Sequence, residues 1–578
     1  MRLFHPFVVV LPAVAALSAC AALDGRAPAA GPMTKARPST VAAEACDALT
    51  ARLKYPGLRI ESVSMVAAGA FAQDKVTTAS PAHCLVKGGL NRRTSAVDGM
   101  VYEIGFEMRL PLAWNGRFFH QVNGGIDGVV HPAIGRLPGG GAVDSALNRG
   151  FAVLSSDAGH TGKQNPWFGL DPQARLDYGY NAVGTLTPFA KGVIEATYGR
   201  GPDRSYIGGC SNGGRHSMVA ASRFADQYDG FLVGNPGFNL PKAAMAQMLG
   251  AQQYAKAARP GKDGKPDLAT AVAPEQFGLL SQRILARCDA LDGLADGIVG
   301  DTAACQRAFS LRRDVPVCTG GRGAQCLEKA QVDAIDAVMS GARNARNEPV
   351  YASFPYDPGI AGENWAFWEF VASQRLDPAG SLIFITPPLS ADAFKKTGGL
   401  GIALGIDVER DVPKIHGTNA TYPVSPMGFM TPPDAERLET LHARGARMMV
   451  YHGVADAVFS VNDTIRWYET LDANHRGRAA EFVRLYPVPG MNHCRGGLAA
   501  DQFEMLDELV AWVEEGRAPA RIVAKVRGPG SNDVNKELPA DWPATRTRAL
   551  CPYPGVARYD GRGNPESADS FRCTSPSK

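Results

Sequence analysis

The stretch Ser205-Tyr206-Ile207-Gly208-Gly209-Cys210-Ser211-Asn212-Gly213-Gly214 decides how this chain is read. A short apolar run enters Gly-x-Ser-x-Gly, and a helix-compatible run follows over residues 215–224. Glycines on both sides let a serine stand in a strained strand-to-helix turn that side chains would block, with its hydroxyl lifted beyond the strand end. Among 64 glycines such a pattern is weak by itself. Its weight comes from a partner far downstream, Gly490-Met491-Asn492-His493-Cys494. Cys210 adjoins Ser211 as Cys494 adjoins His493, so a disulfide between the two cysteines would pin a serine nucleophile against a histidine base.

Around this centre, strand signals recur at 102–110, 118–122, 151–155, 205–208 and 231–233, with a helix expected over 178–198. Alternation of strands and helices marks an α/β fold. After about residue 239 it dissolves into helix-like stretches with four cysteines and the aromatics Trp365, Phe367, Trp368 and Phe370. It returns at 448–451 and 482–486, with a helix expected over 502–515. The economical account is an α/β-hydrolase core, 44–238 and 436–578, interrupted by a large inserted lid domain over 239–435. An insertion of that length points to function. The Pro- and Gly-rich stretches after Arg527 read as an extended surface tail.

An acyl-transfer triad in this fold runs Ser, then Asp or Glu, then His along the chain. Ser211, then Asp456 in the loop after Tyr451-His452-Gly453, then His493 keep that order. A serine hydroxyl is a poor nucleophile near neutral pH. His493 would take its proton and return it to the leaving alcohol, while Asp456 orients the imidazole and stabilises its charged form. Cys210 is the competing nucleophile, provided its thiol is free. The oxyanion formed on the attacked carbonyl needs preorganised donors. The Asn212 backbone N–H, next to the nucleophile, is one; the Gly124 N–H in Asn123-Gly124-Gly125 is the other, with Gly125 close behind.

The chain has 578 residues, 45% hydrophobic and 20% charged, ordinary values for a soluble enzyme. A net charge of +3 without a basic run implies no nucleic-acid partner. Arg2, an apolar run over 7–17 and small residues after it read as an export signal over 1–19. Leu17-Ser18-Ala19-Cys20 has the form of a bacterial lipobox with Cys20 as lipid acceptor; ordinary cleavage near 19–22 is the alternative. Residues 20–43 read as a flexible tether. A lipid on Cys20 is the one membrane link expected. It would place a monomer at the outer membrane of a Gram-negative bacterium, or, if released, in the periplasm or medium. Ten further cysteines in an exported chain imply five disulfides, although spacing alone does not fix connectivity. The pairing expected is Cys46–Cys84, Cys210–Cys494, Cys288–Cys305, Cys318–Cys326 and Cys551–Cys573.

Cys288-Asp289-Ala290-Leu291-Asp292-Gly293-Leu294-Ala295-Asp296-Gly297-Ile298 puts three carboxylates among glycines that permit a tight wrap. Asp289, Asp292 and Asp296, with the carbonyls of Leu294 and Ile298, suit the oxygen-rich shell of Ca²⁺. The spacing is not that of an EF-hand, and two acidic Asp-Gly turns are the other reading.

Trp114-Asn115-Gly116-Arg117-Phe118-Phe119, the Gly-Gly loop, Ser156-Asp157-Ala158-Gly159-His160, the Cys-Ser elbow, the His-Cys pair and Leu550-Cys551-Pro552-Tyr553-Pro554 together resemble the tannase and feruloyl esterase family. The resemblance covers most of the mature chain. It implies the Ser211, Asp456 and His493 triad, the Cys210–Cys494 disulfide, a lid across the active site and a structural calcium in that lid. It further implies a serine carboxylesterase that hydrolyses esters of aromatic acids, of feruloyl, galloyl or terephthaloyl type, through an acyl-enzyme without an organic cofactor. By the same resemblance His452 and Phe459 line the pocket. Lid aromatics are expected to sandwich the aryl group, and Arg375 is expected to meet an acid-bearing substrate. Among the departures, Asn123 stands where many members have glycine and Asn212 holds a variable place after the serine, which bears on the pocket but not on a hole built from backbone N–H groups. Two other readings stay open: hydrolysis of aliphatic hydroxyacid ester oligomers, and a non-catalytic surface binding protein on a hydrolase scaffold.

Overall fold

The computed structural model describes residues 35–72, 76, 78–136 and 144–576; the export signal, Cys20 and most of the expected tether lie outside them. The central sheet has nine strands: β1 Leu58–Val66, β2 His83–Thr94, β3 Val101–Pro111, β4 Arg117–Gln121, β5 Ala152–Ser156, β6 Arg204–Cys210, β7 Gly230–Gly234, β8 Arg447–Gly453 and β9 Val483–Val488. Their order is β9-β8-β7-β6-β4-β5-β3-β2-β1. Strands β4 to β9 pair in parallel, and β5 meets an antiparallel β1–β3 meander through β3.

Parallel strands covered on both faces read as continuous apolar runs, and β5 and β7 are buried at every position. Neighbouring residues go to opposite sides. Leu154, Ile207, Phe231, Val450 and Leu485 join Leu186, Phe189 and Val193 of helix α1, Ala182–Tyr198. Val153, Tyr206, Leu232, Met449 and Tyr486 join Leu509, Trp512 and Val513 of a helix at the other end of the chain, Leu506–Glu515.

Strands β1 and β2 are absent from the sequence reading. Gly88-Gly89 disguises β2: a Cβ on Gly88 would lie 2.3 Å from the Arg59 carbonyl oxygen, so glycine marks a close approach within the strand. The helix expected over 178–198 is present, with its first turn widened into a π turn at Asp177–Asn181. The helix expected over 502–515 starts at Leu506. There the Glu504 carboxylate accepts the N–H groups of Leu506 at 2.9 Å and Asp507 at 3.3 Å. Gln502–Phe503 is instead a strand paired with Ile522–Lys525, which pairs in turn with Thr547–Leu550. The tail is therefore sheet as well as loop, and it ends in the hairpin of Val556–Tyr559 and Phe571–Thr574.

Between β7 and β8, residues 235–446 add no strand to the central sheet. Helices Leu240–Ala255, Pro274–Cys288, Lys329–Met339, Glu363–Phe370 and Ala391–Gly405 pack around Met248, Phe277, Leu280, Ile335 and Phe370, in a cluster that also takes in Phe168, Tyr178 and Phe459 from outside the insertion. All five expected disulfides are present, Cys46–Cys84, Cys210–Cys494, Cys288–Cys305, Cys318–Cys326 and Cys551–Cys573. Cys210 thus has no free thiol, which removes it as a nucleophile. No helix among the described residues is long and apolar enough to cross a membrane.

Candidate active site

Ser211 follows β6 and opens helix α2, Asn212–Arg223, with φ 66° and ψ −125°. Such strained backbone persists where the surroundings over-determine it. Its N–H donates to the Gly234 carbonyl at 3.0 Å. A Cβ on Gly209 would lie 2.3 Å from the Val122 carbonyl oxygen, and one on Gly213 2.5 Å from the same oxygen. The loop after β4 can settle on the elbow because both positions lack side chains.

His493 Nε2 stands 2.8 Å from Ser211 Oγ, and His493 Nδ1 stands 2.8 Å from Asp456 Oδ2. Asp456 is buried, and its Oδ1 accepts the N–H groups of Val458 at 2.9 Å and Phe459 at 3.0 Å. Asn235 Nδ2 donates to Oδ2 at 2.7 Å. Burial alone would raise the Asp456 pKa, but the His493 and His452 imidazoles and their hydrogen bonds hold it well below the ordinary carboxylate value. An ionised carboxylate only accepts, so His493 Nδ1 carries a proton and Nε2 is left to receive one from Ser211.

His452 does not line a pocket. Its side chain is fully buried, with Nε2 2.8 Å from the Phe459 carbonyl oxygen and Nδ1 2.9 Å from Thr464 Oγ1. Nε2 is also 3.4 Å from Asp456 Oδ2, so His452 stands behind the acid rather than beside a substrate. The Phe459 ring meets the His493 imidazole edge-on at 5.3 Å, and Trp368 does the same at 5.1 Å from the insertion. Trp365 and Phe370 are core residues, and Phe367 is exposed. Arg375 is exposed before the short helix Leu376–Ala379.

Gly124 lies against the nucleophile, since a Cβ there would be 3.4 Å from the Cys210 carbonyl oxygen and 3.6 Å from Ser211 Cβ. Asn212 is the first residue of α2, where a backbone N–H has no intrahelical acceptor. Gly124 and Asn212 therefore both lie next to Ser211. The insertion braces the other two triad residues. Tyr351 Oη accepts the Ser460 N–H at 3.2 Å, and Asp357 accepts the Gly490 N–H at 3.2 Å. The Gly359 carbonyl accepts Asn492 Nδ2 at 2.9 Å, and Asn364 Oδ1 accepts the His493 N–H at 3.2 Å.

In the acidic loop, Asp289 accepts the N–H groups of Asp296 and Gly297, each at 3.1 Å. Asp292 accepts those of Leu294 at 3.2 Å and Gly300 at 2.8 Å, and Asp296 that of Ile298 at 3.0 Å. Among the described residues no three acidic, histidine or cysteine side chains form a ready-made metal cage. The donor chemistry still fits a hard cation. Burial first, and then the charges of Asp296 and Asp289, push Asp292 up to about 7, and burial with Asp296 raises Asp289. Arg548 neutralises part of this excess through its Nε, 3.0 Å from Asp296 Oδ2. That arginine comes from the C-terminal sheet, so the loop bridges insertion and tail rather than standing free in a lid.

A family model described as tannase and feruloyl esterase matches residues 89–574. Mono(2-hydroxyethyl) terephthalate hydrolase of Piscinibacter sakaiensis is 40% identical over 533 residues, 86% of this chain and 86% of the relative. A probable feruloyl esterase B-1 of Neosartorya fischeri is 26% identical over 496 residues, 81% of this chain and 82% of the relative. Feruloyl esterase B from Aspergillus oryzae superposes with a TM-score of 0.71 at 22% identity, covering 92% of this chain and 100% of that one, a likeness of fold alone. With nucleophile elbow, helical insertion and sequence in agreement, the chain belongs to the tannase and feruloyl esterase family of carboxylic ester hydrolases.

Proposed function

We propose that this protein hydrolyses esters of aromatic carboxylic acids through an acyl-serine intermediate. The unbroken line from Ser211 Oγ through His493 to Asp456 Oδ2, with both contacts at 2.8 Å, carries this reading. Ser211 attacks the carbonyl as His493 takes its proton; the N–H groups of Gly124 and Asn212 meet the developing oxyanion. His493 then protonates the leaving alcohol, and a water molecule activated the same way releases the acid. An aryl acyl group is favoured because Trp368 and Phe459 set two aromatic rings beside His493. The relatives named for terephthalate half-ester and feruloyl ester hydrolysis act on esters that share that group.

Residues 239–435 are the cover of this site. Asp289, Asp292 and Asp296, with the Leu294 and Ile298 carbonyls, would hold a structural Ca²⁺ that neutralises the loop and takes no part in ester chemistry. Export, lipid attachment at Cys20 and a monomeric state complete the proposal; metabolic labelling with a radioactive fatty acid and light scattering test them.

The decisive experiment compares kcat/KM for feruloyl, galloyl and terephthaloyl half-esters with an aliphatic hydroxyacid ester. Preference for the aliphatic ester would overturn the aromatic assignment. Ser211→Ala should abolish both turnover and fluorophosphonate labelling without unfolding the chain; a folded variant that keeps native kcat would remove Ser211 from the chemistry.

A further inference from the structure

Gly124 and Asn212 belong to different elements, a loop after β4 and the start of α2, so something must fix the distance between their N–H groups. Glycines at 124 and 125 have no side chains to pack, so the loop is held from either side of them; before them, Asn123 Nδ2 donates to the Ser156 carbonyl at 2.8 Å. Asp127, three residues beyond Gly124, sits in left-handed backbone at φ 54° with its side chain 2% exposed. Its Oδ2 accepts from Asn212 Nδ2 at 2.7 Å and stands 2.9 Å from His216 Nε2. Asn212 Oδ1 accepts Arg215 Nε at 2.6 Å, and Arg215 reaches the Gly179 and Tyr178 carbonyls at 2.7 and 2.9 Å. On the loop side, the Asp127 N–H turns back to the Gly124 carbonyl at 3.4 Å, and Asn165 Nδ2 holds the Asp127 carbonyl at 3.0 Å. His160 Nε2 stands 2.9 Å from the Ile126 carbonyl oxygen.

We infer that Asp127 is a positioning residue for the oxyanion hole: one buried carboxylate oxygen ties the loop bearing Gly124 to the helix turn bearing Asn212. The inference rests on the acyl-serine reading of the site. Donors stabilise the tetrahedral intermediate when they lie about 2.7–3.1 Å from the oxyanion, and a misplacement of about 1 Å is worth about 100-fold in rate. Burial pushes the Asp127 pKa up to about 7, so the tie is made by a carboxyl that is only partly ionised near neutral pH. The departure at Asn212 acquires a purpose: its backbone faces the reaction while its amide holds the loop.

The test uses the full chain with Asp127→Ala, Asp127→Asn, Asn212→Ala and the Asp127→Ala/Asn212→Ala double variant. Expected is a fall in kcat of about 10- to 100-fold with KM within about twofold, since a displaced hole loses transition-state binding alone. Affinity for an arylboronic acid, whose tetrahedral adduct puts an oxygen in the hole, should fall by the same factor. Asp127→Asn should recover part of the loss. The double variant should be no worse than Asp127→Ala, because both remove one shared bond. Native kcat and boronate affinity in a folded Asp127→Ala, a loss confined to KM, or losses that multiply in the double variant would each overturn the inference. Should Asp127→Ala not fold, Asp127→Asn and Asn212→Ala decide by the same thresholds. Failure of the underlying reading looks different: Ser211→Ala would stay active, or the boronate would not compete with substrate in the native protein.

Discussion

Cys210 and Cys494 stand with Cα atoms 6.2 Å apart, each one residue from a reacting side chain, Ser211 and His493. Their bond closes a sequence separation of 284 residues. On the chain-entropy model this stabilises the fold by about 5 kcal/mol. Replacing both cysteines by alanine should lower melting temperature and kcat together, because the serine and histidine loops then drift independently. Calorimetry and steady-state kinetics on the double variant check this, and native values for both would sink it.

His452 should act through Asp456. Substituting His452→Phe removes a buried contact to a charged group, a change of about 1–2 kcal/mol, or roughly tenfold in rate. The loss should fall on kcat, with KM unchanged. A raised KM at native kcat would return His452 to the pocket wall.

Glu369 follows Trp368 in the chain and is buried, with both carboxylate oxygens lacking a hydrogen-bond partner among the described residues. Burial, and then the charge of Asp377, push its pKa up to about 8 from 4.5. A carboxyl whose folded pKa is raised contributes stability that is fully present below about pH 4.5 and lost as pH rises through about 8, at about 1.4 kcal/mol per pH unit. Glu369→Gln mimics the neutral acid and should flatten the decline in melting temperature between pH 5 and 9. An unchanged slope would mean that Glu369 is ionised throughout that range.

Chelation should lower the melting temperature, and calcium should restore it better than magnesium, whose smaller octahedral shell suits this wrap poorly. Neutralising Asp289, Asp292 and Asp296 together should abolish the response. Elemental analysis of protein purified without chelator is the direct check. No bound calcium and no shift on adding it would leave two surface turns.

The elbow and the His-Cys pair are readable in sequence because each joins neighbours along the chain, and the glycines around Ser211 announce a close approach. His452 is assigned to the pocket by resemblance alone, which does not reveal which way a strand-end side chain turns, and this one turns toward Thr464. Asp127 is silent, an ordinary Ile-Asp-Gly whose partner Asn212 lies 85 residues away. Trp368 is visible as one of several aromatics, but burial alone separates it from Trp365 in the core and Phe367 in solvent. Strands β1 and β2 escape, β2 because paired glycines break its apolar signal.

The contacts made by residues 351–364 with the loops of Asp456 and His493 bear on how this enzyme can be recombined. The inserted region is not a detachable module, since its middle is part of the scaffold that holds acid and base. A chimera taking the whole region from a relative would inherit a mismatched brace and lose turnover with its nucleophile untouched. Junctions drawn beyond residue 364, in contrast, would exchange Trp368 and the surrounding wall while leaving the native brace in place. Substrate range and catalytic competence are thus separable along this stretch of chain, with the dividing line inside the insertion rather than at its ends.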